Sequence, residues 1–226
     1  MKTRYLPSPH HRDRGGAAVD MIIVHYITCP PGSFDTADVE ALFLGTLDAA
    51  RHPAYREVEG KELSAHFLVD RRGRVTQFVP TDRAAYHAGV SRWRGRTGCN
   101  DFSLGIELIG DAAHEFTQRQ YASLARLCRR LMRAHPAITP RRIVGHSQVA
   151  WPRGRKQDPG PRFDWARFRA LLSVAGFAPS QAGAEGVARR GGPPAARSSE
   201  RAPTGVRSDR TPEATHGTKV PRRLTC

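Results

Sequence analysis

The sequence predicts an α/β fold: one domain with a central mixed β-sheet flanked by helices, followed by a disordered C-terminal tail. Three observations carry this reading. Met21 to Ile27 and Phe102 to Ile109 are largely apolar on both alternating faces, the pattern of strands covered on both sides. Apolar residues after Thr117 recur at helical spacing until Pro136, so strands alternate with helices along the chain. At Gly176 the composition changes, and the last 51 residues carry 7 Gly and 6 Pro with Phe177 as the only aromatic. Such a stretch has too few apolar side chains to offset the entropy of ordering. The expected organisation is therefore a flexible, polar segment over 1–15, a folded domain over 16–175, and a disordered basic tail over 176–226.

In Met21–Ile27, Ile22, Val24 and Tyr26 alternate with Met21, Ile23, His25 and Ile27, and His25 is the one strongly polar group on its face. The run Cys29-Pro-Pro-Gly-Ser33 forms a turn, and Thr36 can cap a short helix that Gly45 ends after Leu44. Leu47 to Glu62 has no clean period and reads as a long loop. Ser64–Val69 and Arg74–Val79 form a hairpin around Asp70-Arg-Arg-Gly73, where Gly73 can take a positive φ. In Phe102–Ile109, Leu104, Ile106 and Leu108 share one face, which leaves Glu107 in the middle of the other. Thr117 with Gln120 has the form of a capping box, followed by Tyr121, Leu124, Ala125, Cys128, Leu131 and Met132 on one helical stripe. Arg142–His146 is a short strand, Ser147–Pro161 a loop rich in Gly, Pro and Arg, and Asp164–Leu172 a closing amphipathic helix.

The formal net charge is +15, of which the tail supplies 9 Arg and Lys against 4 Asp and Glu. A basic surface attracts nucleic acid, anionic membrane or acidic substrates, but it equally reflects Arg-rich residue usage. No RNP, zinc-finger or helix-turn-helix pattern supports a specific nucleic-acid partner. The N-terminus lacks the apolar core of a secretory signal, and Met21–Ile27 is too short to span a bilayer, so a soluble, cytoplasmic protein without a transmembrane segment is expected. Cys29, Cys99, Cys128 and Cys226 have neither metal-ligand spacing nor the density of a disulfide scaffold and are expected as thiols.

Three positions end or interrupt apolar strands with ligand-type side chains: His25, His146 and Asp158. Two imidazoles and a carboxylate make a ligand set for catalytic zinc with a fourth position open to water. Each also has a plain structural alternative, since a buried His can be a satisfied core residue and Asp158 before Pro159-Gly160 can start a turn. The three share no helix, so no local spacing defines the site.

Seven stretches narrow the choice: Ile22-Ile-Val-His-Tyr-Ile27, Pro30-Pro-Gly-Ser-Phe34, Ser64-Ala-His-Phe-Leu68, Tyr86-His-Ala-Gly-Val-Ser91, Cys99-Asn-Asp-Phe-Ser-Leu-Gly-Ile-Glu-Leu108, Gly145-His-Ser147 and Lys156-Gln-Asp-Pro-Gly-Pro161. In this order the chain resembles the cytoplasmic N-acetylmuramoyl-L-alanine amidases of the AmpD type, from about Val19 to Leu172. That family shares its fold with phage T7 lysozyme and the peptidoglycan recognition proteins. The resemblance implies that residues 16–175 are a catalytic domain holding Zn2+ on His25, His146 and Asp158, with Glu107 and Lys156 as the catalytic pair. The implied reaction is hydrolysis of the amide between muramoyl and L-alanine in stem peptides, the implied substrate a 1,6-anhydro-N-acetylmuramoyl peptide in cell-wall recycling. Zinc would acidify a water, Glu107 would move its proton, and Lys156 would stabilise the oxyanion. His66, His87 and Tyr26 are weaker candidates for orienting ligands or substrate, whereas Trp93 and Tyr86 are expected to anchor their loop. Tyr26 and Gly98 stand where such amidases commonly have Asn and Arg, and the His146–Lys156 loop is two residues longer than the common form. These departures imply a relaxed preference for the anhydro sugar. A non-catalytic peptidoglycan-binding module is the alternative, and the presence of all five residues favours the enzyme; a monomer is assumed.

Overall fold

The computed structural model describes residues 2–173, so the expected disordered tail lies outside the described residues. In chain order the strands and helices are β1 (Thr3–Tyr5), β2 (His11–Arg12), β3 (Met21–Ile27), α1 (Ala37–Leu44), β4 (Phe67–Val69), β5 (Val75–Gln77), β6 (Ala84–Ala85), β7 (Arg92–Trp93), β8 (Arg96–Thr97), β9 (Ser103–Ile109), α2 (Gln118–Ala134), β10 (Ile143–Gly145) and α3 (Trp165–Ser173). Six strands form one sheet in the order β1-β5-β4-β9-β3-β10. Every neighbouring pair is parallel except the β4/β5 hairpin, so the sheet is mixed, as expected. Two small two-stranded pairs, β2 with β6 and β7 with β8, lie outside it.

β9 and its neighbour β3 are interior strands, and both are buried along their whole length. On one face Ile22 and Val24 of β3 join Leu104, Ile106 and Leu108 of β9, Tyr121, Leu124, Cys128 and Leu131 of α2, and Phe168 and Leu172 of α3. On the other face Ile27 and Ile109 pack with Val39, Leu42 and Phe43 of α1, while Met21 and Ile23 pack with Ala88, Cys99, Phe102 and Val149. His25 falls between these two apolar groups on β3, so that face carries a polar interval at mid-strand.

Local chemistry explains the ends. The capping box forms: Thr117 Oγ1 accepts from Gln120 N at 3.1 Å and Gln120 Oε1 accepts from Thr117 N at 3.0 Å. Gly45 ends α1 at φ 72, although Thr36 makes no side-chain cap and Asp35 Oδ1 instead accepts from Ala37 N at 3.0 Å. In the β4/β5 hairpin Gly73 sits at φ 76, and Asp70 Oδ1 accepts from Arg72 N and Arg74 N. The expected strand from Ser64 is shorter, starting at Phe67, and Leu47–Glu62 contains two 3₁₀ turns, Ala49–Arg51 and Pro53–Glu57.

The N-terminal segment differs from its expected flexibility. Thr3–Tyr5 adds a parallel edge strand to β5, and His11–Arg12 pairs with β6. Arg14 is buried, and its guanidinium donates to the carbonyls of Thr81, Asn100, Asp101 and Ser103 at 2.7–3.2 Å. Backbone pairing and two buried polar side chains, Ser8 and Arg14, therefore fix a stretch that has little apolar character of its own. Arg14→Leu should lower stability by about 3 kcal/mol, because several buried carbonyls lose their donor at roughly 1–3 kcal/mol each. Chemical denaturation of the variant checks this, and an unchanged midpoint would show that the segment contributes nothing to the fold.

Candidate metal-dependent active site

The register of the central strands assembles the site. His25 of β3 lies directly opposite Glu107 of β9, and Gly145 of β10 lies opposite Val24, so His146, one residue on, follows in the same row. These are parallel strands, and the ends where His146 leaves β10 and the flanking loops meet are where open α/β sheets gather ligand groups. Asp158 arrives from the loop before α3.

His25 Nδ1, His146 Nδ1 and Asp158 Oδ2 form a triangle with sides of 3.0, 2.9 and 3.0 Å, all three residues being buried. The outer nitrogens define the tautomers. His146 Nε2 donates to the Ala88 carbonyl at 3.0 Å, which leaves Nδ1 with a lone pair. Ser103 Oγ spends its proton on the Cys99 carbonyl and so accepts from His87 Nε2 at 3.4 Å. His87 Nδ1 must then accept from His25 Nε2 at 3.0 Å, and His25 Nδ1 also presents a lone pair. Two imidazole lone pairs and a carboxylate oxygen thus converge, an arrangement that a cation satisfies. The sides are close to the roughly 3.3 Å edge of a tetrahedron with bonds of about 2.0 Å, so the residues fit a tetrahedral metal. Among the described residues these three form a group that could hold a metal ion, with ligand atoms within 4.8 Å of one another.

Burial, then the neighbouring His146, pushes His25 down to about 4, so its imidazole is neutral and able to ligate. For Asp158 burial acts upward, but the adjoining His146 and His25 outweigh it and hold the carboxyl below its ordinary range.

Glu107 Oε1 is 4.0 Å from His25 Nδ1, and Oε2 is buried with no hydrogen-bond partner among the described residues. Burial raises the Glu107 carboxyl well above its usual range, the charge of Asp158 adds to this, and Lys156 opposes it. Lys156 is half-buried, and its charge reaches both Glu107 and His25. All five residues expected at the centre are therefore brought together.

The weaker candidates separate. His87 stands directly behind His25, as described. His66 does not line the cleft. It is fully buried one layer further back, with Nδ1 accepting from Gly105 N at 3.0 Å and Nε2 beside the Arg83 carbonyl, and burial followed by the Arg14 charge lowers it to about 3. Tyr26 belongs to the apolar cluster beneath α2 and α3, on the opposite side of the sheet from His25, because neighbouring strand residues point to opposite faces. Trp93 packs against the Met21, Ile23 and Val144 cluster and anchors its loop. Cys29, Cys99 and Cys128 are free, buried thiols.

Gly105 is a site residue that sequence reasoning missed. A Cβ there would lie 2.4 Å from His87 Cγ, so only glycine admits the ring behind His25. An isolated glycine inside an apolar strand was the available sign. Gly105→Ala should cost about 1–3 kcal/mol through overpacking. Thermal unfolding measures it, and wild-type stability would mean that the ring moves aside freely.

The sequence profile of the N-acetylmuramoyl-L-alanine amidase family matches residues 15–161. The chain is 45% identical over 171 residues to the 1,6-anhydro-N-acetylmuramyl-L-alanine amidase AmpD of Escherichia coli K12, covering 75% of this chain and 92% of that protein. To AmpD of Enterobacter cloacae it is 46% identical over 172 residues, covering 76% and 90%. A crystal structure of a selenomethionine AmpD derivative superposes with a TM-score of 0.73 at 44% identity, covering 76% of this chain and 96% of that one. The E. coli amidase AmiD, solved with the substrate anhydro-N-acetylmuramic acid-L-Ala-D-γ-Glu-L-Lys, gives 0.52 at 28% identity, covering 71% and 60%. Fold and site together define a hydrolase of the metal-dependent amidase class. The chain belongs to the N-acetylmuramoyl-L-alanine amidase family and resembles its AmpD members most extensively among these relatives. Among the described residues no helix is long and apolar enough to cross a membrane.

Proposed function

We propose that the protein hydrolyses the amide between 1,6-anhydro-N-acetylmuramoyl and L-alanine in recycled peptidoglycan stem peptides, in the cytoplasm, with zinc on His25, His146 and Asp158. The observation that carries the reading is a buried carboxylate oxygen, Glu107 Oε2, with no partner among the described residues, beside three converging acceptors. A structural carboxylate would be paired, so an orphaned one points to a group that is free to exchange a proton with substrate or water. Zinc suits a site of two imidazoles and one carboxylate, and when bound it supplies electrophilic activation of the scissile carbonyl and a more acidic water.

The remaining steps belong to the chain. Glu107 takes a proton from the attacking water as the carbon–oxygen bond forms, then returns it to the alanine nitrogen as the carbon–nitrogen bond breaks. The products are the lactyl carboxylate and the free amine of the peptide. Lys156 faces the carbonyl oxygen as it gains charge, and the same ammonium acts against the burial and the Asp158 charge that raise the Glu107 carboxyl. The AmpD names of the relatives and the anhydro-sugar ligand of AmiD support the choice of substrate.

The test is a competition between anhydro and ordinary muramoyl peptides with an identical stem, followed by mass spectrometry, together with the metal content of the purified protein. About one equivalent of zinc and a moderate preference for the anhydro sugar are expected. A preference for the reducing sugar would overturn the recycling role, and absence of cleavage in zinc-loaded protein would overturn the reaction.

A further inference from the structure

We propose that Asn100 and Arg155 are positioning residues for the metal centre, which they hold through one short stretch of backbone, 87–90. The proposal rests on the metal-site reading above and concerns what keeps the ligands in place.

The outer nitrogen of each histidine ligand is seated on that stretch: His25 Nε2 on His87 Nδ1, and His146 Nε2 on the Ala88 carbonyl, both at 3.0 Å. A displacement of the 87–88 peptide therefore turns both rings together. Burial alone does not hold the stretch, since Gly89 is exposed and Val90 is 66% exposed. Ser91 Oγ donates to the Gly89 carbonyl at 2.9 Å and Trp151 N to the Val90 carbonyl at 3.0 Å, and two side chains more distant in sequence also hold it. Asn100 Oδ1 accepts from the backbone N–H of both His87 and Ala88, at 3.3 and 2.8 Å. Arg155 Nη2 donates to the carbonyls of Ala88 and Val90, at 2.9 and 2.7 Å, while its Nε donates to the Trp151 carbonyl at 3.2 Å.

Arg155 also stands three residues before Asp158, so the same clasp ties the third ligand's loop to the peptide that seats the other two. Asn100 is itself held from behind, its carbonyl accepting from Arg14 at 3.1 Å. All three ligand-bearing segments are thus referred to a single peptide, with Asn100 below it and Arg155 across its outer side. Among the described residues neither has a hydrogen bond to a ligand side chain; Asn100 acts through the backbone between, and Arg155 through that backbone and through its charge beside Asp158. Partners of this kind fix the orientation of ligating rings, and their loss typically weakens metal binding by about 10–100-fold.

The experiment is a zinc titration of the full-length protein against a chromophoric chelator, with melting temperatures of the zinc-free and zinc-bound forms. Asn100→Ala and Arg155→Ala should each weaken zinc binding by roughly 10–100-fold. Asn100→Asp keeps the accepting oxygen and should stay close to wild type. The double variant should lose less than the product of the single effects, because both act on one stretch. The rise in melting temperature on adding zinc should shrink in the two alanine variants, whereas a merely structural role would lower both forms equally. Wild-type zinc affinity in both alanine variants, or Asn100→Asp as weak as Asn100→Ala, would overturn the proposal. Should Asn100→Ala fail to fold, Arg155→Ala on its exposed side chain decides alone. Wild-type protein that takes up no zinc would overturn the metal-site reading itself, a failure distinct from normal uptake in the variants.

Discussion

Glu107→Gln should keep its metal and lose turnover by about 100-fold or more, the usual contribution of a positioned proton carrier. Gln preserves the shape of the side chain between β3 and β9 but cannot accept a proton, so the two effects separate cleanly. Glu107 Oε2 is buried without a partner among the described residues, so the substitution breaks no hydrogen bond of that oxygen to them. Steady-state cleavage of an anhydromuramoyl peptide, alongside metal analysis of the same sample, is the measurement. Near-normal turnover would move the proton-transfer role to another group, and joint loss of metal and activity would make Glu107 a structural support of the ligands.

His146→Ala should remove the metal and the activity together. One corner of the triangle disappears, and the Ala88 carbonyl loses the ring that donates to it. Affinity should fall further than the about 10–100-fold that follows from losing an outer partner. The variant should also lose metal-linked stabilisation, which for wild type amounts to about 2.7 kcal/mol at a free metal concentration 100 times the Kd. Differential scanning calorimetry with and without zinc reads this directly. An undiminished increment in His146→Ala would place the metal elsewhere.

The parts of the fold legible in the sequence are those whose cause is local. β3 and β9 announce themselves by unbroken apolar runs, and α2 by its stripe and by Thr117 with Gln120. β1 was illegible for the converse reason: Thr-Arg-Tyr is mostly exposed and is held by hydrogen bonds to β5, which no residue pattern records. The site divides in the same way. His25, Glu107, His146, Lys156 and Asp158 were visible as a set only through likeness to a family, because strand register joins residues that no spacing rule connects. Residues that act through the backbone, such as Asn100 and Arg155, are typed as ordinary loop polar groups until the carbonyls and N–H groups they meet are in view. Tyr26 adjoins His25 in sequence, and adjacency along a strand places the two side chains on opposite faces.

The place of β3 between β9 and β10 has a consequence for how the enzyme matures. Its two neighbours, β9 and β10, come from much later in the chain, and the two histidines on β3 and after β10 are 121 residues apart. Pairings of that separation close large loops and form late in folding. On a growing polypeptide His25 emerges early but waits for His146 and Asp158, 12 residues further on, before three ligands exist. A site with all three ligands therefore exists only once β10 and the Asp158 loop have joined β3, so metal uptake by the full set should follow that pairing.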